Sequence, residues 1–334
     1  MSDSYYNYDS ECMLDVPNLN CSPISDQIIK KWLMLQEKNV FNYKLMIDKD
    51  KVLPGQYAFY IQLNTDRNVK RRIPQSISSL TQPFDKEKFN FTKIPPEEIL
   101  FDIVYDKEIE GTIIINASPL TIGHCLYCPS LNKCLPQVLT KTSIEAAVRL
   151  MWLGNNRDLR MGYNSLGALA SVNHLHFHLL FVDHRLAIEN VSCKNLCENI
   201  YELVNYPAHG FCLEVKSKSE ISNVCSTFDT IIKLLIDLNI PHNIFMTFGK
   251  TLNETCKSNA LRILIFPRKD SFGCKLSLSF NLAFCELSGY IPVGNLESFN
   301  TLTEEAVTQI LEENTSIEFN IVRDVILKSN LGQM

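Results

Sequence analysis

Several features that would assign a protein class at once are missing from this 334-residue sequence. No apolar run approaches the roughly 18 residues that a membrane-spanning helix needs, so no membrane segment is expected. The opening stretch, MSDSYYNYDSEC, has neither a basic region nor an apolar core, so no secretory signal is expected. The G-x-G-x-x-G and Walker sequences are absent as well, and with them the usual marks of dinucleotide-binding and P-loop proteins.

An excess of positive charge is also missing. The 32 Lys and Arg residues are outnumbered by 37 Asp and Glu, which gives a formal net charge of −5. Because nucleic-acid binding requires a basic surface, general binding of DNA or RNA is not expected. A single small anionic ligand in a local pocket is compatible with this balance. The apolar content of 46% and the charged content of 21% are those of a globular chain.

The 12 cysteines are spread along the chain and form no compact disulfide framework. Reduced thiols in the cytoplasm are the simplest interpretation. The spacing Cys125-x-x-Cys128 raises the alternative of a zinc site. Since no second C-x-x-C lies at zinc-finger distance, buried thiols that pack as small apolar side chains are favoured. No metal and no cofactor are therefore expected.

The order of predicted elements indicates an α+β fold. Residues 1–23 are polar and aperiodic and are expected to form a disordered tail. Residues 64–95 are polar and carry a basic cluster, which is typical of a solvated loop. A capping box over Thr142–Glu145 predicts a helix start. The other predicted helices cover 25–36 and 228–238 and begin near 303, and strands are predicted at 57–63, 99–105, 111–116, after 124, and at 171–182, 243–248 and 261–266.

One short motif carries the chemistry: His174, His176 and His178 alternate with apolar residues. Because side chains alternate across a strand, the three imidazoles share one face, about 6.5–7 Å apart. Two chemical interpretations follow. His-x-His on a strand can supply two ligands to zinc. A neutral imidazole, with an ordinary pKa of about 6.5, is also a nucleophile toward phosphorus.

The preceding loop favours the nucleophile. Residues 162–171 are rich in glycine, alanine and serine, which lets backbone amides approach a ligand closely. Asn164, Ser171 and Asn173 offer neutral hydrogen-bonding partners for a phosphate. A carboxylate-rich metal centre would have a different composition.

A strand of alternating histidines after a helix and a small polar loop resembles the histidine triad superfamily of nucleotide hydrolases and transferases. The segment 115–119 (INASP), followed by Gly123-His124 and Pro129, is similar to a second motif of that superfamily. The resemblance implies that Asn116 takes the position that contacts the ribose hydroxyls. It also implies an antiparallel sheet with helices, arranged as in galactose-1-phosphate uridylyltransferase. The half that bears the triad would span residues 24–190, and a degenerate copy without a triad would span 191–334.

A longer set of motifs resembles the GDP-sugar phosphorylases. It includes GYNSLGALASVNHLH at 162–176, the stretches 71–75 and 82–85, and FN at 280–281. Histidine instead of glutamine at His178 resembles the animal branch, whose substrates are GDP-D-glucose and inorganic phosphate. The resemblance implies that Arg71 and Arg72 help to bind phosphate. Oligomeric state is left open, with a homodimer as one option.

The reaction that the resemblance implies has two steps. His176 would attack the α-phosphorus of GDP-glucose and release glucose 1-phosphate, and inorganic phosphate would then take up the guanylyl group as GDP. His174 and His178 would stabilise charge on the phosphoryl oxygens. The alternatives are a hydrolase, a transferase with another acceptor or another sugar such as GDP-galactose or GDP-mannose, and a nucleotide-binding or metal-binding protein without activity.

Overall fold

The computed structural model describes residues 4–20, 22–70, 75–252, 258–272 and 280–329. Its strands are β1 (Tyr5–Tyr8), β2 (Lys49–Val52), β3 (Tyr60–Leu63), β4 (Ile99–Tyr105), β5 (Glu108–Ile115), β6 (Cys125–Pro129), β7 (Leu159–Asn164), β8 (Phe177–Phe181), β9 (Cys193–Cys197), β10 (Ile200–Leu203), β11 (Phe211–Val215), β12 (His242–Lys250), β13 (Asn259–Pro267) and β14 (Tyr290–Val293). Its α-helices are α1 (Pro23–Glu37), α2 (Thr65–Lys70), α3 (Lys141–Gly154), α4 (Ile221–Asp237), α5 (Phe284–Leu287), α6 (Leu296–Thr301) and α7 (Glu304–Lys328).

Eleven strands form one sheet in the order β1-β4-β5-β6-β8-β7-β12-β13-β11-β10-β9. Each half of the sheet repeats one pattern: β4-β5-β6-β8-β7 in the first, and β9-β10-β11-β13-β12 in the second. In both halves a long helix, α3 or α4, lies between the third and fourth strands along the chain. The halves meet at the antiparallel pair β7–β12, where Asn164 lies opposite Asn243. The expected α+β fold of two related halves is confirmed.

Side-chain alternation divides the apolar residues between the two faces of this sheet. One face packs against α1, α3 and α4, and it includes Leu175, Phe177 and Leu179. The other face, with Leu180 and Val182, packs against the small sheet β14-β3-β2 and the C-terminal helices. The histidines that alternate with the first set therefore point toward the second layer. No helix within the described part of the chain is long and apolar enough to cross a bilayer.

The N-terminal tail differs from its expected disorder over the described residues 4–20. Strand β1 pairs in parallel with β4 at the edge of the sheet. Tyr8 is buried there, and its hydroxyl donates to Glu110 at 2.7 Å. Trp152 anchors the following residues through a 2.7 Å bond from Nε1 to the Leu14 carbonyl. Tyrosines in a polar segment can bury their rings while the hydroxyl groups stay bonded, which the polar composition did not indicate.

Two other expectations are corrected locally. Helix α3 begins earlier than its predicted capping box, because Thr140 is the N-cap and Ser143 completes the box in place of Glu145. The stretch 64–95, expected as a solvated loop, instead contributes α2 and buried side chains such as Phe91. That change matters for function, since Phe91 lies against the histidines.

Candidate active site

The strand predicted over 171–182 is shorter in the structure and begins after His174 and His176. Only Phe177–Phe181 forms β8. Ahead of it, the Leu175 amide donates to the Leu135 carbonyl at 2.9 Å. The His176 amide donates to Gln137 Oε1, also at 2.9 Å. The segment that carries His174 and His176 is thus held by residues 135–137 instead of by a neighbouring strand.

His176 has the tautomer and the environment of a nucleophile. Its Nδ1 lies 2.7 Å from the His174 carbonyl oxygen, so Nδ1 carries the proton and Nε2 carries the lone pair. The side chain is 3% exposed, and its ring lies 5.0 Å from the ring of Phe91. Burial lowers the pKa of His176 to about 4. The imidazole is therefore neutral at pH 7, as an attack on phosphorus requires.

His178 and His124 form a chain of donors that ends in the site. The Leu120 amide donates to His124 Nδ1 at 2.9 Å, which leaves the proton of His124 on Nε2. That nitrogen lies 3.2 Å from His178 Nδ1, so we assign His178 as the acceptor and place its own proton on Nε2. Burial, reinforced by the neighbouring His176, His124 and Arg67, keeps the pKa of His178 well below its usual value. A neutral His178 can then donate one hydrogen bond from Nε2 to a ligand oxygen.

Both ring nitrogens of His174 form hydrogen bonds with backbone groups of the protein. Its Nδ1 accepts from the Phe91 amide at 3.1 Å, and its Nε2 donates to the Leu131 carbonyl at 3.1 Å. Its ring lies against the rings of Phe84 and Phe91, at 5.2 and 5.5 Å. Neither ring nitrogen is left for a phosphoryl oxygen, which was the expected role. In this structure His174 instead positions the carbonyl that holds His176.

Gln137 is a site residue that the sequence did not indicate. Its side chain is 1% exposed and lies between β7 and the triad segment. Nε2 donates to the carbonyls of Asn164 and His176 at 3.0 and 3.1 Å, while Oε1 accepts from the His176 amide. The Tyr163 hydroxyl holds the Gln137 carbonyl at 2.8 Å. No sequence motif surrounds Gln137. Its role in holding the backbone of His176 is therefore seen only in the hydrogen bonds of the structure.

The structure separates the three polar residues of the triad loop. Asn164 lies at the end of β7, next to the nucleophile, and its Oδ1 accepts from Asn243 and Phe284. Ser171 is exposed. Asn173 is buried, its Oδ1 accepts from the Gln137 amide, and its Nδ2 donates to the carbonyls of residues 82 and 83. Asn173 therefore braces the loop and offers a ligand little hydrogen-bonding capacity.

The other predicted binding residues lie beside His124 or outside the described chain. Asn116 is half-buried, and its Oδ1 accepts from the Ser118 amide. Its Nδ2 lies 3.0 Å from His124 Nε2, but both nitrogens carry protons in the tautomer assigned above, so this contact is not a hydrogen bond. Arg67, on α2, donates to the Ser118 carbonyl, and its charge helps to lower the pKa of His124 after the larger effect of burial. Arg67 thus brings positive charge to the triad. The predicted phosphate ligands Arg71 and Arg72 lie outside the described residues.

Apolar rings enclose the histidines. Phe91 covers His176 from one side, and Phe284 lies 5.2 Å from the ring of His178 on the other. The residue opposite His178 on β7 is Gly162. A Cβ there would come within 2.0 Å of the Phe284 ring, so glycine is required for this contact. Rings that exclude water strengthen hydrogen bonds and charge interactions inside the site.

The two cysteines of the C-x-x-C spacing do not face one another. Both are fully buried on β6, but Cys125 packs into the core beneath the helices and Cys128 into a small cluster around Leu126 and Phe91. Burial raises the pKa of both thiols. Within the described ranges no group of three or more His, Cys, Asp or Glu side chains has the geometry of a metal site.

Buried neutral imidazoles predict a pH-dependent stability. Burial lowers the pKa of His242 to about 4, as it does for His176. An unfolded histidine has a pKa of about 6.5, so below that pH the unfolded chain binds more protons. The stabilisation is complete above pH 6.5 and is lost as the pH falls toward 4. Between pH 7.5 and 5, His242 is expected to lower the free energy of unfolding by about 2 kcal/mol.

Urea unfolding of wild type and His242→Gln at both pH values measures this term, because the difference between the two proteins cancels the other titrating groups. We expect the wild type to lose about 2 kcal/mol more than the variant on acidification. Equal losses would show that His242 is not a buried neutral base.

The site thus combines two repeated antiparallel halves with a buried histidine whose Nε2 is free of the proton and a second histidine that can donate from its own Nε2. In fold the chain is similar to yeast Ap4A phosphorylase Apa2, solved in complex with Ap4A. The TM-score is 0.60 at 14% identity, over 90% of this chain and 98% of that one.

Family comparison is more specific. The model described as "GDPGP1-like, N-terminal domain" matches residues 24–180, and "GDPGP1-like, C-terminal domain" matches residues 182–329. The chain therefore belongs to the GDPGP1-like family, which confirms the resemblance to GDP-sugar phosphorylases. It is 38% identical to GDP-D-glucose phosphorylase 1 of Danio rerio, over 84% of this chain and 83% of the relative.

Two further relatives mark the breadth of the family. The chain is 37% identical to GDP-D-glucose phosphorylase 1 of Homo sapiens, over 87% of this chain and 79% of the relative. It is 30% identical to GDP-L-galactose phosphorylase 2 of Arabidopsis thaliana, over 86% and 71%. The expected division of the chain at residue 190 stays a prediction.

Proposed function

We propose that this protein catalyses the phosphorolysis of GDP-D-glucose by inorganic phosphate, yielding GDP and glucose 1-phosphate. The observation that carries the proposal is the tautomer of His176, whose Nδ1 donates to the His174 carbonyl and leaves Nε2 as a buried neutral nucleophile. The vertebrate relatives named for GDP-D-glucose are more similar to this chain than the plant relative named for GDP-L-galactose, which supports this sugar.

In the first step the Nε2 lone pair of His176 forms a bond to the α-phosphorus, and the bond from that phosphorus to the bridging oxygen breaks. Glucose 1-phosphate leaves with the electron pair. It needs no proton, because a phosphate monoester is a stable anion at neutral pH. The guanylyl group remains on Nε2, and the positive charge of the ring is spread toward Nδ1–H, which keeps its bond to the His174 carbonyl.

In the second step an oxygen of inorganic phosphate attacks the same phosphorus, the bond to Nε2 breaks, and GDP leaves. Splitting the transfer in this way replaces one displacement between two anions by two positioned ones. Charge on the equatorial oxygens requires donors that are already in place. We assign this role to His178 Nε2–H, the Asn164 amide and the positive charge of Arg67.

The remaining predicted contacts stay proposals of the same kind. Asn116 would contact the ribose, and Ser171, together with Arg71 and Arg72, would bind phosphate oxygens. Cytoplasmic location, the absence of nucleic-acid partners and a homodimer also remain predictions.

Phosphate dependence separates the proposed reaction from its alternatives. Purified protein is incubated with GDP-glucose, with and without phosphate, and nucleotides are separated by chromatography. We expect GDP and glucose 1-phosphate in equal amounts, formed only with phosphate. Formation of GMP in water at the same rate would instead identify a hydrolase, and the proposal would be wrong.

A different sugar is the alternative that the Arabidopsis relative favours. The same assay with GDP-L-galactose and GDP-mannose tests it. We expect GDP-glucose to have the highest kcat/KM. A preference for GDP-L-galactose by tenfold or more would transfer the assignment to that substrate.

A further inference from the structure

The second half of the chain has no triad, yet its residues hold the loop that precedes the triad. The Ser165 amide donates to the His242 carbonyl at 3.0 Å, and the His242 amide donates to Ser165 Oγ at 2.9 Å. Ser271 donates to the Gly167 carbonyl from both its amide and its hydroxyl, at 2.9 and 2.8 Å. Residues of the second half therefore hold this loop in place.

Asn164 lies where this loop meets the nucleophile. On β7, Gly162 is the register partner of His178 on β8. Asn164, the last residue of β7, is two residues beyond Gly162, and His176 is two residues before His178, just ahead of β8. Gln137 Nε2 bridges the carbonyls of Asn164 and His176, which keeps them adjacent.

Two hydrogen-bond donors from the second half determine the orientation of the Asn164 side-chain amide. Its Oδ1 accepts from Asn243 Nδ2 at 2.6 Å and from the Phe284 amide at 3.1 Å. An amide oxygen has two lone pairs, so these two donors satisfy it. The capacity that Asn164 keeps is the pair of N–H donors on Nδ2. Two N–H donors on a residue whose carbonyl is bridged to that of His176 by Gln137 suit a phosphoryl oxygen.

The orientation of Asn243 is determined as well. Its Nδ2 donates to Asn164 Oδ1 and to the Ala168 carbonyl, at 2.6 and 2.9 Å. Turning this amide over would place its oxygen against two other oxygens. Asn243 Oδ1 is left buried without a hydrogen-bond partner among the described residues, and the whole side chain is 0% exposed. A buried amide oxygen without a partner costs free energy, and an apolar side chain of the same size would pack without that cost. We therefore expect the Nδ2 group of Asn243 to have a functional role.

We propose that Asn243 is a positioning residue for guanylyl transfer: it holds the Asn164 amide so that Nδ2 donates to the phosphoryl group at His176. This inference rests on the proposed function, because it needs a phosphoryl group beside Nε2. The second half thereby contributes to the single active centre through β12 and α5. Without Asn243, the Asn164 amide keeps one of its two restraints and can rotate its oxygen toward the ligand.

The test is a double-mutant cycle between Asn243→Leu and Asn164→Ala. Leucine keeps the volume and removes the unpaired oxygen together with the donor. It also removes the bond to the buried Ala168 carbonyl, so urea unfolding of each variant accompanies the kinetics. We expect Asn243→Leu to lower kcat about 100-fold in the wild-type background, the usual effect of losing one preorganised donor. In the Asn164→Ala background it should change kcat less than threefold, because it acts through Asn164.

Thr247→Val is the matched control, since Thr247 is an equally buried polar residue on β12 whose hydroxyl donates to the next carbonyl in the chain, that of Phe248. Its kcat is expected to stay within twofold of wild type. Asn243→Ser, whose hydroxyl is too short to reach Asn164, replaces Asn243→Leu if leucine prevents folding. Equal loss in both backgrounds would overturn the inference.

GDP affinity, measured by calorimetry across the same four proteins, separates this inference from the proposed function. We expect Asn243→Leu to weaken GDP binding about tenfold, and only when Asn164 is present. Coupled GDP binding in a protein that does not consume GDP-glucose would refute the proposed function and support the positioning role. Uncoupled GDP binding would count against the positioning role whatever the activity.

Discussion

Replacing His176 with alanine is expected to lower kcat for GDP-glucose phosphorolysis by on the order of 10⁴-fold or more, as removal of a covalent nucleophile does elsewhere. The variant should keep its fold, because Nε2 serves the substrate and the ring makes one hydrogen bond to the described residues, from Nδ1 to the His174 carbonyl. Initial rates with saturating GDP-glucose and phosphate measure the effect. Binding of GDP should persist, since the loss belongs to the chemical step.

The same variant tests the covalent step directly. Wild-type protein mixed with GDP-glucose without phosphate, and quenched at alkaline pH, is expected to gain the mass of one guanylyl group, whereas His176→Ala gains none. His184→Ala is the control, because His184 stacks on Tyr60 outside the triad. An adduct on His176→Ala, or turnover within tenfold of wild type, would show that another residue is the nucleophile.

Replacing Gln137 with leucine is expected to reduce both stability and activity, although Gln137 contacts no substrate atom in the proposed reaction. The change leaves three buried backbone groups without their partner: the amide and carbonyl of His176 and the carbonyl of Asn164. An unsatisfied buried polar group costs about 1–3 kcal/mol, so we expect a loss of about 3 kcal/mol or more. A nucleophile displaced by about 1 Å costs about 100-fold in rate.

Urea unfolding and kcat measured on the same preparation separate the two effects. Gln309→Leu is the matched control, because Gln309 lies on the exposed side of α7 and its side chain donates to the neighbouring side chain of Glu313. We expect it to change the free energy of unfolding by less than about 0.5 kcal/mol, as surface substitutions do. If Gln137→Leu lost no more stability than this control, the hydrogen bonds between Gln137 and the His176 backbone would not form in solution.

Local pattern was sufficient for the chemistry of the triad. Alternation of His174, His176 and His178 with Leu175 and Phe177 predicts opposite faces, and the two apolar residues are in the core. The four longest helices and seven of the fourteen strands in the described residues lie near the positions that periodicity and capping residues predict. The strands that were not predicted are β1, β2, β7, β9, β10, β11 and β14. These are short-range properties, set by neighbours within a few residues.

Polar residues were less predictable, because a polar side chain suits either solvent or a buried partner. The N-terminal tail and the stretch around Phe91 are rich in polar residues, which suggests exposure to solvent. Both segments are nevertheless held in place by contacts with residues that are distant in the sequence. Likewise, Asn173 and His174 were expected to meet phosphate, while their hydrogen bonds go to main-chain groups.

The sequence by itself determined that a nucleophilic histidine stands in a row of three, that the chain belongs among nucleotide-handling proteins, and where the four long helices and half of the strands form. Tertiary structure alone decided which imidazole nitrogen is left for chemistry, and that Gln137 and Asn243 hold the site. The physical reason is that a tautomer or an amide orientation depends on which donor or acceptor lies within about 3 Å. Asn243 reaches Asn164 across 79 residues of chain, and no local pattern records that meeting.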